Sequence, residues 1–163
     1  HANLGNVGMF VRAWAYLRSL GPEGLRLCAE MAVLNANYLL ARLRGAWHVP
    51  IDKPVMHECV LSDKDLEPFG VTTLDVAKRL IDYGYHPPTV YFPLIVHGSI
   101  MIEPTESESL EGLDRFAEAM LAVAEEARTD PEHVRNAPHR TRLARLDETR
   151  AARRPVLRWQ PAS

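Results

Sequence analysis

The run Thr89-Val90-Tyr91-Phe92-Pro93-Leu94-Ile95-Val96-His97-Gly98-Ser99-Ile100-Met101-Ile102 decides the architecture. Residues 89–92 and 99–102 are β-branched and aromatic, the composition of strands. Residues 94–98 join them over a distance that suits a hairpin or a slightly longer connection. Immediately upstream, residues 70–83 read as a helix. Thr72 is its N-cap, Asp75 stands at the capping-box position, and Gly84 supplies the left-handed stop. The buried stripe expected on it is Leu74, Ala77, Leu80 and Ile81. Earlier still, residues 55–61 form a short apolar run interrupted by His57 and Glu58, suitable for another strand of the sheet.

Downstream, Thr105 and Glu108 have the Thr-x-x-Glu spacing of a capping box. Leu113, Phe116, Ala117, Met120, Leu121 and Ala124 then follow helical periodicity. This helix should end near Arg128, because Asp130-Pro131 offers a new N-cap with proline at the first helical position. The first third is helical too. A segment over residues 9–20 stops at Gly21-Pro22, and a second covers residues 23–43 with Leu25, Cys28, Ala29, Ala32, Ala36, Leu39, Leu40 and Leu43 near helical spacing. Asn35 and Asn37, poor helix formers, suit polar surface positions of it better than the alternative, contact with a neighbouring domain. The order describes an α+β fold, a short sheet with flanking helices preceded by a long helix. Residues 1–45 form the helical segment, 46–130 the small α+β domain and 131–163 a basic tail.

At 163 residues the chain has room for one core, and 47% hydrophobic with 25% charged residues is ordinary for a globular protein. A formal net charge of -2 argues against nucleic-acid binding, which needs clustered positive charge. Cys28 and Cys59 fall in helix and strand patterns and read as buried thiols of a reducing compartment. No apolar run approaches the ~20 residues that span a bilayer. Nucleotide-binding and nucleophile-elbow fingerprints are absent, and no two histidines have metal-ligand spacing, so no metal site is expected. The chain opens at His1 without an initiating methionine, which reads as a truncated or excised C-terminal piece.

Three blocks carry a family resemblance. They are His86-Pro87-Pro88-Thr89-Val90-Tyr91-Phe92-Pro93, continued by Ile100-Met101-Ile102-Glu103-Pro104-Thr105-Glu106-Ser107-Glu108-Ser109; Ala29-Glu30-Met31-Ala32-Val33-Leu34-Asn35-Ala36-Asn37-Tyr38-Leu39; and Asp147-Glu148-Thr149-Arg150-Ala151-Ala152-Arg153-Arg154-Pro155-Val156-Leu157-Arg158-Trp159. Together they resemble the C-terminal part of the glycine-cleavage P-protein, the pyridoxal-phosphate-dependent glycine decarboxylase. The wording of residues 88–94 is similar to members split over two polypeptides. The opening His1-Ala2-Asn3-Leu4-Gly5 is similar to the family's His-Gly-Asn-x-Gly, with alanine in the second place.

The resemblance implies the small C-terminal domain of a fold-type I enzyme, with the long helix leading out of a large cofactor domain. It implies glycine as substrate, pyridoxal phosphate bound mainly upstream, and transfer of the aminomethyl group to the lipoyl arm of H-protein. It also implies the remainder of the P-protein and its other subunit as partners, in a bacterial cytoplasm. No catalytic residue is expected within the chain itself. A Schiff-base lysine needs a dry, shaped pocket, whereas Lys53 precedes Pro54 in a polar turn, Lys64 lies between two aspartates and Lys78 sits beside Arg79 on a solvated helix face. The alternative is a stand-alone α+β interaction or regulatory module without catalysis.

Three residues stand out as candidates for the cleft or substrate path. His86 is held by two prolines on a loop between helix and strand, where an imidazole can donate or accept a proton. The competing reading is a histidine that only braces the loop. Thr105 and Glu106 lie where a strand enters a helix, a place whose free N–H groups favour anions; local capping explains Glu108 better. The region over residues 135–158 holds eight of the sixteen arginines, and its interleaved acids and apolar end suit docking on protein.

Overall fold

The computed structural model describes residues 5–159, so four of the five residues of the opening motif lie outside it. The elements are α1 (Val7–Leu43), β1 (Cys59–Ser62), α2 (Thr73–Asp82), β2 (Thr89–Val90), β3 (Ser99–Ile102), α3 (Leu110–Thr129), α4 (Pro131–Arg135) and α5 (Glu148–Arg153), with short 3-10 turns at Asp63–Asp65 and Glu67–Phe69. The fold is α+β, as the sequence implies. Gly21 breaks α1 with φ 64° and Pro22 restarts it, so the expected stop is real although both halves continue in one element.

The three strands form an antiparallel sheet in the order β1-β3-β2. Cys59 pairs with Ile102 and Leu61 with Ile100, and all four are buried, as the two-residue period of a strand requires. They join Leu39, Leu40 and Leu43 of α1, Val76 and Leu80 of α2, and Leu113, Met120 and Val123 of α3 in one core. Trp47 closes an end of it and donates its indole N–H to the Met120 carbonyl at 3.3 Å. Val134 of α4 is also buried there.

Several local expectations change. The strand expected over residues 55–61 is Cys59–Ser62, because Val55 is taken by Asn37. Asn37 Oδ1 accepts the Val55 N–H at 3.0 Å and its Nδ2 donates to the Val55 carbonyl at 2.8 Å. Asn35 is 4% exposed and donates to the Thr105 carbonyl at 2.8 Å. Both asparagines are therefore inter-element struts, not surface positions. The apolar stripe of α2 is turned by about one residue, burying Thr73, Val76, Ala77 and Leu80 while Leu74 and Ile81 are half-buried. Thr73 is buried with its hydroxyl donating to the Gly98 carbonyl at 2.6 Å. The Thr72/Asp75 capping box is present as read.

Cys59 is buried, and burial pushes its thiol up to about 12. Cys28 is only half-buried, since its part of α1 has no covering layer within the described residues. Strand β2 stops at Val90 because Tyr91 adopts φ 58°; a cis Phe92-Pro93 bond follows. Arg79 of α2 forms a two-pronged pair with Glu126 of α3 at 2.7 and 2.9 Å, and the Tyr83 hydroxyl donates to the same carboxylate at 2.7 Å. Arg79 above all holds the Glu126 carboxyl below the usual range.

Candidate functional site

Between the end of α2 and the start of α3 lies a cleft of about 440 Å³. Its apolar wall is Leu39 from α1, Met101 and Ile102 from β3, and Leu113 and Phe116 from α3, with Tyr85 edge-on to Phe116 at 5.1 Å between ring centroids. Pro87, Pro88 and Pro104 stiffen its borders. The polar groups at the cleft are His86, Thr89, Glu103 and Glu108. An apolar pocket with a few convergent polar heads is the usual form of a small-molecule site.

His86 lies on this cleft, exposed, and makes no hydrogen bond to other described residues. Thr105 and Glu106 do not line the cleft. Thr105 lies just past its border at Pro104, its hydroxyl sharing a hydrogen bond with Ser107 at 2.8 Å. Glu106 accepts from the Tyr16 hydroxyl of α1 at 3.3 Å. The fold thus groups His86 with Glu103 and Glu108 and leaves Thr105 and Glu106 on an adjoining turn.

The capping expectation here is corrected. Helix α3 starts at Leu110, with Ser109 as N-cap accepting the Gly112 N–H at 3.1 Å. The Thr105 carbonyl instead closes a turn by accepting the Glu108 N–H at 3.2 Å. That turn, tethered by Asn35, uses up the residues which Thr-x-x-Glu spacing assigns to a first helical turn, and frees Glu108 to line the cleft. Glu103 was quoted in the sequence but not singled out; only the pairing of β3 beside the loop at residues 86–88 brings it to the cleft that His86 lines. His57 stands near its outer side, Nε2 3.8 Å from Glu103 Oε1.

None of the three lysines lines the cleft. Lys53 and Lys64 are exposed; Lys78 is half-buried, not on an open face, with Nζ 4.0 Å from Glu148. The donor set is one imidazole and two carboxylates, with no lysine or arginine. That set does not fit an aldehyde cofactor carrying a phosphate, which calls for an amine and cationic or N–H donors. A second grouping lies elsewhere: ligand atoms of Asp63, Glu67 and His97 come within 4.8 Å of one another. Spacing along the chain gave no hint of it. No helix among the described residues is long and apolar enough to cross a membrane.

Residues 28–141 match the family model described as glycine dehydrogenase, C-terminal domain. The chain is 57% identical over 156 residues to "Probable glycine dehydrogenase (decarboxylating) subunit 2" of Listeria welshimeri, covering 96% of this chain and 32% of that protein. The proteins of the same description from Halalkalibacterium halodurans and Bacillus velezensis are each 56% identical with the same coverage. The chain therefore spans about a third of the length of these relatives. Among solved structures, a glycine decarboxylase (P-protein) of the glycine cleavage system in inhibitor-bound form is similar, with a TM-score of 0.57 and 27% identity over 66% of this chain and 24% of that one.

Proposed function

The chain belongs to the glycine dehydrogenase C-terminal domain family, and on that premise we propose that it forms one wall of the active-site cleft in a two-subunit glycine decarboxylase. The observation that carries this is the cleft itself, where His86, Glu103 and Glu108 converge over an apolar floor built by α1, β3 and α3.

In this reading the other two thirds of the polypeptide hold pyridoxal phosphate, which supplies the electron sink for loss of CO2 from glycine. This chain's residues shape the space above it. Leu39, Phe116 and Leu113 give that space an apolar floor. The Glu103 and Glu108 carboxylates favour an ammonium group over a free carboxylate at the rim, and His86 Nδ1 or Nε2 takes up or releases a proton. Thr105 and Glu106 shape the adjoining turn, along which a carrier arm reaches the cleft. The companion subunit and the lipoylated H-protein are the macromolecular partners, in the cytoplasm. On this reading the chain divides into a helical lead (1–45) against the cofactor domain, a small domain (46–130) and a basic tail (131–163) on the enzyme surface, with Leu39, Leu40 and Leu43 of the lead and Val134 of the tail also packed in the small domain's core.

The test is CO2 release from glycine, with H-protein, by the complete two-subunit enzyme and by this chain alone. The complete enzyme is expected to turn over and the chain alone to be inert. Borohydride fixation of pyridoxal phosphate onto Lys53, Lys64 or Lys78, or glycine decarboxylation by the chain alone, overturns the reading.

A further inference from the structure

We propose that Asp63, Glu67 and His97 form a binding site for one divalent transition-metal cation of the zinc type. The three residues come from two neighbouring places. Asp63 and Glu67 stand in the paired 3-10 turns after β1, and His97 stands in the turn that leads into β3. Backbone pairing fixes the two turns against each other, since the Asp63 N–H donates to the Gly98 carbonyl at 3.0 Å.

Asp63 is the observation that points to a ligand. It is only 4% exposed, and one carboxylate oxygen is engaged: Oδ2 accepts the Thr73 N–H at 2.8 Å, with the Thr73 hydroxyl, whose proton goes to the Gly98 carbonyl, 3.0 Å away. The other, Oδ1, is buried with no hydrogen-bond partner. It is also the oxygen nearest Gly98: a Cβ on that glycine would stand 1.6 Å from it. The unpartnered oxygen therefore faces the turn that carries His97. A buried carboxylate oxygen with neither donor nor counter-charge is costly, and Asp63 takes part in no ion pair among the described residues. A cation answers both needs at once.

The other two groups have the chemistry and freedom to complete a site. His97 Nδ1 is already 3.4 Å from Glu67 Oε1. That is close to the roughly 3.3 Å expected between two ligands bound at about 2.0–2.1 Å in a tetrahedron. His97 is 90% exposed and Glu67 54% on their side chains, so both can close the remaining distance while Asp63 stays anchored. One imidazole with two carboxylates, leaving a position for water, suits zinc, cobalt or manganese better than calcium or magnesium, which prefer oxygen alone.

The experiment uses the complete enzyme after chelator treatment, titrated with Zn2+ by calorimetry and with Co2+ by visible absorption. The readout is the difference between wild type and the variants H97A and E67Q. Both side chains are exposed, so these changes leave the fold intact. Wild type is expected to bind one ion per chain that H97A lacks, and E67Q to bind it at least about tenfold more weakly. D63N is expected to lose the ion as well. Identical stoichiometry and affinity in wild type, H97A and E67Q overturn the proposal, and so does the absence of binding in wild type.

Discussion

Asn35 Nδ2 donates to the Thr105 carbonyl at 2.8 Å, joining the middle of the long helix to the turn beside the cleft across 70 residues of sequence. Asn35 is buried, so water does not replace this bond when it is lost. The strut makes the position of that turn depend on α1.

Asn35→Ala is accordingly expected to destabilise the protein by about 1–2 kcal/mol. The turn at residues 103–109 should lose amide protection before the core strands do. Denaturant melts with hydrogen exchange read both effects. Unchanged protection at residues 105–108 would show that the turn holds itself.

Asp82, the last residue of α2, ties the segment after α4 to that helix. Burial alone would raise its carboxyl, but the N–H groups of Arg140 and His139, together with Arg79, outweigh this and hold it below the usual range. A carboxyl depressed in the folded state stabilises above its unfolded value of about 3.9, and that contribution is lost as pH falls through the folded value. Asp82→Asn should therefore lower stability at pH 7 by roughly 3 kcal/mol and flatten the acid limb. Urea melts between pH 7 and pH 3 check this; parallel acid limbs for both proteins would contradict it.

Along the first half of α1, Val7, Phe10, Val11, Trp14 and Leu17 are all about half exposed or more, at helical spacing. Apolar patches of this kind drive association. The chain on its own is expected to self-associate and to bind a hydrophobic dye, with Phe10→Glu and Trp14→Glu together restoring a monomer. Sedimentation of the two proteins decides the matter. A monomeric wild type that leaves the dye dark would mean the helix covers its own apolar face.

Much of this architecture was legible because it rests on local codes. The Thr72/Asp75 box, the stripe from Leu113 to Ala124, and the strands at Thr89 and Ser99 each depend on residues close in sequence. What escaped depends on distant partners. Asn35 and Asn37 read as surface residues because their acceptors at Thr105 and Val55 lie 70 and 18 positions away. The Thr105–Glu108 spacing fits a helix start equally well until the Asn35 bond makes it a turn. Glu103 and His86 reach one cleft only through strand pairing, and Asp63 nears His97 only through the backbone bond to Gly98. The loop that carries His86 is fixed wherever it falls by the two prolines that follow, and the role of the imidazole is left to test.

That fixed loop makes His86 a clean probe of the cleft. His86→Ala removes an exposed side chain with no described hydrogen bond, next to two prolines that keep their backbone shape. Stability should change by less than about 1 kcal/mol. If the imidazole moves a proton during turnover, the complete enzyme should lose roughly a hundredfold or more in glycine decarboxylation. Thermal melts and CO2 release measured on the same preparations separate the two effects. Normal turnover, or activity lost only in step with unfolding, would make His86 a bystander on the rim and leave Glu103 and Glu108 as the groups that matter.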